Sequence, residues 1–255
     1  MTGYRYFIDD QIEAFERDGF VVLRGLYDAA AMAEITAWTE DVQARPETAG
    51  KWMKYFDQSL TEPSARILNR VENFCPYHDG FVALMTRGEL PARVGELFGE
   101  AAVLYKEKVN FKMPGGAGFE SHQDVPAGWD RYAKLHITAL VSVDAATVEN
   151  GCLEVAAGHH RRGIIGESWK PMDGEDLHGV EFVSVPTEPG DTVFFDSYLP
   201  HRSEPNLTDA PRRVLYVTYD KLSEGDRRAQ YYADKRQSYP PDIEREPGKE
   251  YVYRV

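Results

Sequence analysis

The chain has 255 residues, of which 42% are apolar and 28% are charged, as is typical of a folded globular protein. Its formal net charge of −13 argues against partners that need a basic face, namely nucleic acid and anionic membrane surfaces. No window approaches the roughly 18 apolar residues of a membrane span, and the N-terminus lacks the apolar core of a signal peptide. Cys75 and Cys152 predict two packed thiols in a reducing cytoplasm, with neither a disulfide framework nor a zinc site.

The first hundred residues predict a mainly helical layer. Apolar residues recur at helical spacing, for example Met32, Ile35 and Trp38. The predicted elements are a helix from Asp9 to a stop at Gly19, a strand over 20–26, a helix over about 29–43, an irregular segment over 46–76 and a helix over about 79–98.

From residue 101 onward the pattern changes to short strands separated by turn-forming residues. The predicted strands cover 102–113, 135–144, 151–158, 179–186, 191–197 and 212–220. Several short strands after a helical start favour an antiparallel sandwich or barrel. Residues 222–255 predict one short helix and an extended tail. We expect one domain over 1–255, with a helical part at 1–100, a core at 101–220 and a C-terminal extension at 221–255.

One triplet and one distant histidine indicate a metal site. His122 and Asp124 are two residues apart, so on a strand their side chains point to the same side. His201 follows the predicted strand 191–197 and is the candidate third ligand. Two histidines and one carboxylate form the facial triad that leaves coordination positions open on non-haem Fe(II). The other strand histidine, His136, is predicted to be packed or hydrogen-bonded.

A strand that begins eleven residues after His201 opens with two arginines, Arg212 and Arg213. A guanidinium there can hold a carboxylate in a bidentate geometry. Alternation puts Arg212 on one face with Tyr216 and puts Arg213 on the other face. We therefore expect Arg212 to face the site and Arg213 to be a solvated cation.

These motifs resemble the phytanoyl-CoA dioxygenase family of Fe(II)/2-oxoglutarate-dependent oxygenases over about residues 8–220. The residues that carry the resemblance are FERDGFVVLRGL at 15–26, His122-Gln-Asp124, ENGCL at 149–153, EPGD at 188–191, and HRSEPN at 201–206 leading to Arg212. One departure is Ala157-Gly158-His159, where the family usually has Pro-Gly-Ser; it affects a turn and no ligand.

The resemblance implies a mainly β fold, a double-stranded β-helix (jelly roll) with an N-terminal helical layer. It implies that His122, Asp124 and His201 bind Fe(II) and that Arg212 holds the far carboxylate of 2-oxoglutarate. The implied reaction consumes 2-oxoglutarate and O₂ and releases succinate and CO₂. Because Asp124 is intact, hydroxylation or desaturation is favoured over halogenation.

The strand before the triplet offers further candidates for the pocket. Asn110 matches the position from which relatives place an amide against 2-oxoglutarate, and Thr138 is a candidate hydroxyl donor to the same molecule. If Asn110 faces inward, alternation brings Lys106 and Lys108 to the same face, where they would bind an anionic substrate. The alternative is an edge strand whose lysines face solvent.

Two more segments are candidates for substrate contact. In the cation-rich stretch 51–74 we single out Arg70, although the polar residues there could equally form one face of a short helix. Trp129 and Tyr132 flank Asp130 and could hold a substrate ammonium, or simply pack within their loop. Three segments resemble the branch of the family that hydroxylates small aminoalkylphosphonates, namely KWMKYF at 51–56, RVENF at 70–74 and HQDVPAGWD at 122–130.

The leading hypothesis is an Fe(II)/2-oxoglutarate-dependent hydroxylase of a small polar anionic or zwitterionic molecule, such as an organophosphonate. The alternative is a cupin-like metal dioxygenase or isomerase that does not use 2-oxoglutarate. A binding module with a vestigial triad is a third hypothesis. Both a monomer and a homo-oligomer are compatible with these features.

Overall fold

The computed structural model describes residues 4–251, which form two antiparallel β-sheets with helices packed on one of them. The strands are β1 (Phe20–Leu23), β2 (Met53–Gln58), β3 (Arg66–Glu72), β4 (Ala102–Lys112), β5 (Phe119–His122), β6 (His136–Ser142), β7 (Leu153–Val155), β8 (Val183–Val185), β9 (Thr192–Asp196), β10 (His201–Ser203) and β11 (Arg212–Lys221). The helices are α1 (Asp9–Asp18), α2 (Ala29–Ala44), α3 (Asp79–Thr86), α4 (Glu89–Phe98) and α5 (Arg228–Ser238).

The two sheets face each other across an apolar layer. The larger sheet has the order β1-β9-β6-β11-β4-β3-β2 and the smaller one β5-β10-β7-β8. Between them pack Leu140, Val193, Phe195 and Val214 from the larger sheet and Leu153, Val155 and Val185 from the smaller sheet. This arrangement confirms the predicted jelly-roll core.

Helices α1 to α4 cover the outer face of the larger sheet. Strand β11 shows how one sequence serves both faces: Leu215, Val217 and Tyr219 pack in the main apolar cluster with the helices, whereas Arg212 and Tyr216 alternate onto the face between the sheets. At the end of α1, Gly19 adopts a left-handed conformation with φ of 82°, and its N–H donates to Phe15 O at 2.9 Å. The predicted stop at Gly19 is therefore confirmed.

Two expectations for the helical part are wrong. The segment 46–76 contains the hairpin β2–β3, which extends the larger sheet beyond β4 through the register Arg70↔Asn110. The polar residues that hid this strand pattern are held by ion pairs and hydrogen bonds, as Arg66 is by Glu47, Lys54 by backbone carbonyls and Asn69 by Asp57. The hairpin therefore needs no apolar alternation. The helix expected over 79–98 is two helices, because Gly88 interrupts it and becomes the N-cap of α4.

The short helix expected after the core is confirmed as α5, which contacts β4. The last four residues of the predicted tail lie outside the described residues. Among residues 4–251, no helix is both long and apolar enough to cross a membrane.

Candidate metal centre and its cavity

The predicted triad is brought together by strand register. His122 at the end of β5 and His201 at the start of β10 are directly paired in the antiparallel ladder, and their ring centroids are 4.2 Å apart. Asp124 follows two residues later, where its N–H donates to Ser197 O at 3.1 Å. One ligand atom from each of the three side chains lies within 4.8 Å of the other two. This spacing suits three ligands of one cation.

Hydrogen bonds and burial set the chemical state of the triad. The Nδ1 atoms of His122 and His201 lie 2.7 and 3.0 Å from the carbonyl oxygens of Glu120 and Leu199, so each Nε2 is left for a ligand. Burial lowers the pKa of His122 to about 3, which keeps the imidazole neutral. For Asp124, burial acts to raise the pKa, but the nearby histidines and lysines outweigh it and the pKa is lowered. Two neutral imidazoles and a carboxylate fit Fe(II).

The triad opens into a cavity of about 470 Å³. Five of the residues proposed from the sequence as co-substrate or substrate contacts line it, namely Lys106, Lys108, Asn110, Trp129 and Tyr132. Other lining residues were not singled out from the sequence, among them Phe119, Tyr216, Tyr231, Asp234, Lys235 and Tyr239.

Lys106 and Lys108 face this cavity because β4 is an interior strand, paired with β11 on one side and β3 on the other. The edge-strand alternative is therefore wrong. Lys106 is only 5% exposed, and its Nζ lies 4.7 Å from the ring centroid of Trp129. Burial, together with the charge of Lys106, lowers the pKa of Lys108 to about 8. Within residues 4–251, neither ammonium forms an ion pair with a carboxylate.

Arg212 is one of the largest fully buried side chains, at 1% exposure. It contacts the hydroxyl of Tyr216, which also contacts Asn110 and lines the cavity. No carboxylate of the described residues pairs with this guanidinium. Arg213 points to the other face, where its Nε lies 2.8 Å from Asp144 Oδ2 and its side chain is 13% exposed. The choice of Arg212 agrees with this geometry, whereas the expectation that Arg213 is a solvated cation is wrong.

Three residues proposed from the sequence do not line the main cavity, namely Thr138, Arg70 and Arg212, which lies behind Tyr216 and contacts its hydroxyl. Thr138 is 1% exposed, and its Oγ1 lies 2.9 Å from Thr218 Oγ1. Arg70 lies 2.8 Å from Glu72 and stacks over the ring of Tyr55. It borders a neighbouring cavity of about 220 Å³, which shares His122, Phe119 and Tyr239 with the main one.

The aromatic loop contributes Trp129 and Tyr132 as expected, but the carboxylate beside them is a different residue. Asp130 is exposed and does not line the cavity. Asp234 of α5 does, and its Oδ2 accepts a hydrogen bond from Tyr132 Oη at 2.7 Å.

From the sequence, the Tyr-rich tail 230–255 could be either a protomer contact or a cover over the barrel, and none of its residues was singled out; in the structure it forms a wall of the cavity. Its sequence signal was the helical spacing of Tyr231, Lys235 and Tyr239, which places the three residues on one face. Two buried ion pairs hold the helix against strands β3 and β4. Lys235 Nζ lies 2.7 Å from Glu72 Oε2, and Arg228 pairs with Glu107. The extension therefore completes the cavity as well as covering the sheet.

His136 is confirmed as a packed histidine. It is fully buried, its Nε2 lies 3.1 Å from Asp220 Oδ1, and its ring packs against Tyr105 at 4.7 Å.

Known proteins resemble this chain over most of its length. The model of the phytanoyl-CoA dioxygenase family matches residues 15–214. A 2-aminoethylphosphonate dioxygenase of the uncultured bacterium HF130_AEPn_1 is 43% identical over 247 residues, which cover 96% of this chain and 94% of the relative. A methylphosphonate hydroxylase of Gimesia maris is 42% identical over 232 residues, which cover 91% of this chain and 87% of the relative.

A solved structure shows the same fold. It is the crystal structure of EctD from S. alaskensis with 2-oxoglutarate and 5-hydroxyectoine. This structure superposes on the present one with a TM-score of 0.74 and 22% sequence identity, over 88% of this chain and 80% of that chain. The family match covers most of the chain, and both sequence relatives extend over nearly its whole length. The chain therefore belongs to the phytanoyl-CoA dioxygenase family.

Proposed function

We propose that the protein is an Fe(II)- and 2-oxoglutarate-dependent dioxygenase that hydroxylates a small organophosphonate. The observation that carries the proposal is a buried His/Asp/His set at a cavity lined by Lys106 and Lys108, neither of which forms an ion pair with a carboxylate of the described residues. The sequence relatives, named for 2-aminoethylphosphonate and methylphosphonate, support this substrate class.

His122, Asp124 and His201 would hold the iron. Their ligand atoms converge, both histidines are oriented by backbone carbonyls, and the carboxylate is ionised. Bound Fe(II) supplies the activation of O₂ that is coupled to oxidative decarboxylation of 2-oxoglutarate. The contribution of the protein chain is to orient both organic molecules and to keep water out.

Arg212 would bind the far carboxylate of 2-oxoglutarate. A guanidinium at 1% exposure is costly to bury without an anion, and a carboxylate that accepts two parallel hydrogen bonds repays that cost. Asn110 and Tyr216 border the same position, because the Tyr216 hydroxyl contacts both Asn110 and Arg212. These two side chains would fix the orientation of the co-substrate.

Lys106 and Lys108 would bind the phosphonate. Two ammonium groups in one cavity repel each other, and a doubly charged anion between them removes that repulsion. Trp129 and Tyr231 enclose Lys106, at 4.7 and 5.1 Å from its Nζ, and so hold the ammonium in place. Trp129 and Tyr132 form the adjoining aromatic wall.

Turnover tests the proposal. We expect the enzyme with Fe(II), 2-oxoglutarate and O₂ to convert methylphosphonate or 2-aminoethylphosphonate into a hydroxylated product, seen by ³¹P NMR, with one succinate per product. Asp124→Ala and His201→Ala should abolish both signals, whereas His178→Ala, at an exposed histidine, should retain them. Turnover that persists without Asp124, or succinate that forms independently of every phosphonate tested, would contradict the proposal.

The cupin-like alternative, which does not use 2-oxoglutarate, is disfavoured because it gives no role to the buried Arg212.

We also propose that residues 1–255 act as one catalytic domain, since strands of both sheets and the C-terminal extension line one cavity. The two buried free thiols, Cys75 and Cys152, support a cytoplasmic location.

A further inference from the structure

The cavity contains carboxylates that the chemistry described above does not use. Besides Asp124, the lining carboxylates are Asp234 and Glu250, and both come from the C-terminal extension. The family match ends at residue 214, so this wall lies outside the part of the chain that the family model matches. β4 contributes Lys106 and Lys108 to the cavity, and the extension contributes Lys235 and Lys249 besides these two carboxylates. Lys235 is ion-paired with Glu72 and Lys249 with Glu246.

Asp234 is held in place by two hydrogen bonds, and the positive charge of Arg131, which also lines the cavity, acts on it as well. Its Oδ2 accepts from Tyr132 Oη at 2.7 Å, and its Oδ1 accepts from Gln230 Nε2 at 2.7 Å. The hydrogen bond from Tyr132 is the largest influence on this carboxyl, and its pKa is lowered. Among the described residues, no lysine or arginine forms an ion pair with Asp234. An ionised, oriented carboxylate thus faces the cavity with capacity for a positive group.

Lys106 on β4 gives an independent indication of a ligand. It is only 5% exposed and lines the same cavity, and although Glu72 and Asp124 act on it through their charges, it forms no ion pair with a carboxylate of residues 4–251. A ligand that satisfies Lys106 and Asp234 together carries an anion at one end and a cation at the other. The rings of Tyr132 and Tyr231 line the cavity as well, and such faces favour an ammonium group.

We propose that Asp234 is a specificity-determining residue that selects phosphonates carrying an ammonium group on their carbon chain. The inference rests on the proposed function, and it narrows the substrate class from organophosphonates in general to zwitterionic ones. Asp234 binds the ammonium while Lys106 and Lys108 bind the phosphonate. Replacing the ammonium by a methyl group leaves the Asp234 carboxylate without its partner and lowers the affinity.

Two substrates of nearly the same shape test this inference. 2-Aminoethylphosphonate ends in an ammonium group where propylphosphonate ends in a methyl group, and the two molecules are otherwise the same. We expect the wild-type enzyme to prefer the amino compound in kcat/KM. Asp234→Asn should raise KM for the amino compound by about fivefold with little change in kcat, because one partly exposed charge pair is lost. It should leave propylphosphonate kinetics unchanged.

Asp130→Asn is the matched control, since Asp130 is an exposed acid near the same aromatic residues that does not line the cavity. It should leave both substrates unchanged, and propylphosphonate turnover also reports correct folding of Asp234→Asn. Equal effects of Asp234→Asn on the two substrates, or no effect on either, overturn the inference while the proposed function stands. Failure of the wild-type enzyme to oxidise any phosphonate overturns the proposed function and this inference with it.

Discussion

Replacement of Arg212 by methionine should abolish co-substrate binding without weakening the fold. The guanidinium is 1% exposed and, among the described residues, has no carboxylate partner. Removing a buried, unpaired charge and keeping most of the side-chain volume is neutral or stabilising. We therefore expect the unfolding free energy of the protein without 2-oxoglutarate to stay within about 1 kcal/mol of wild type, or to rise.

The effect on binding is large enough to read from a thermal melt. A ligand present at 100 times its dissociation constant stabilises the folded state by about 2.7 kcal/mol. For a protein of this size each kcal/mol shifts Tm by roughly 2–4 °C, so wild type with Fe(II) under argon should gain roughly 5–10 °C on saturation with 2-oxoglutarate. Arg212→Met should gain almost nothing at the same concentration.

Arg213→Met is the control from the neighbouring position. It removes the ion pair with Asp144, at 2.8 Å, and should cost about 1–2 kcal/mol of stability. Its Tm shift with 2-oxoglutarate should equal that of wild type, because Arg213 points away from the cavity. An undiminished shift in Arg212→Met would refute the assignment of Arg212 as the carboxylate ligand.

Three further outcomes are expected. Lys108→Met should raise KM for the phosphonate about tenfold while KM for 2-oxoglutarate, followed by succinate release, stays constant, because one charge-assisted contact is lost. Glu107→Gln should lower the unfolding free energy in urea by about 3–5 kcal/mol, since it leaves Arg228 without its charged partner in a buried position. The buried pair His136 and Asp220 holds one proton in the folded state, where burial raises the pKa of Asp220 to about 8. Above pH 6.5, the ordinary pKa of histidine, these two groups hold fewer protons in the unfolded chain than in the folded one. The free energy of unfolding should therefore fall from pH 6.5 to 8, with a slope of up to about 1.4 kcal/mol per pH unit. Asp220→Asn should remove that slope in denaturation curves.

The core strands and the first two ligands of the metal centre could be predicted because their signals are local, whereas the distant His201 was chosen by its place after a predicted strand and by the family resemblance. Short apolar and β-branched runs separated by turn-forming residues identified β4, β6, β9 and β11, and the spacing of His122 and Asp124 placed both side chains on one side. The choice between Arg212 and Arg213 followed from the alternation of side chains along a strand. Each of these conclusions depends on residues close together in the chain.

The hairpin β2–β3 could not be predicted in the same way. Arg70 and Glu72 are buried polar residues on a strand that pair with each other, and Lys235 of α5 adds a second cation at Glu72. A pattern of apolar alternation does not detect a strand whose buried positions are charged. Only the tertiary contacts show that these charges are paired.

The acidic residue of the cavity was misassigned for a related reason. Asp130 is adjacent in sequence to Trp129, but its side chain is exposed, whereas Asp234 reaches Tyr132 from a helix about one hundred positions later. Nothing in the local sequence indicates that α5 docks beside this loop. The ion pair between Arg228 and Glu107, which helps to position α5, joins residues 121 positions apart in the chain.

An anaerobic optical titration tests the central claim most directly. The protein is loaded with Fe(II), 2-oxoglutarate is added, and the visible spectrum is followed before and after a phosphonate is supplied. The account predicts that a weak charge-transfer band appears with 2-oxoglutarate, that it changes on addition of the phosphonate, and that it is absent in Asp124→Ala. Iron binding without any such band would contradict the assignment of this cavity as a 2-oxoglutarate site.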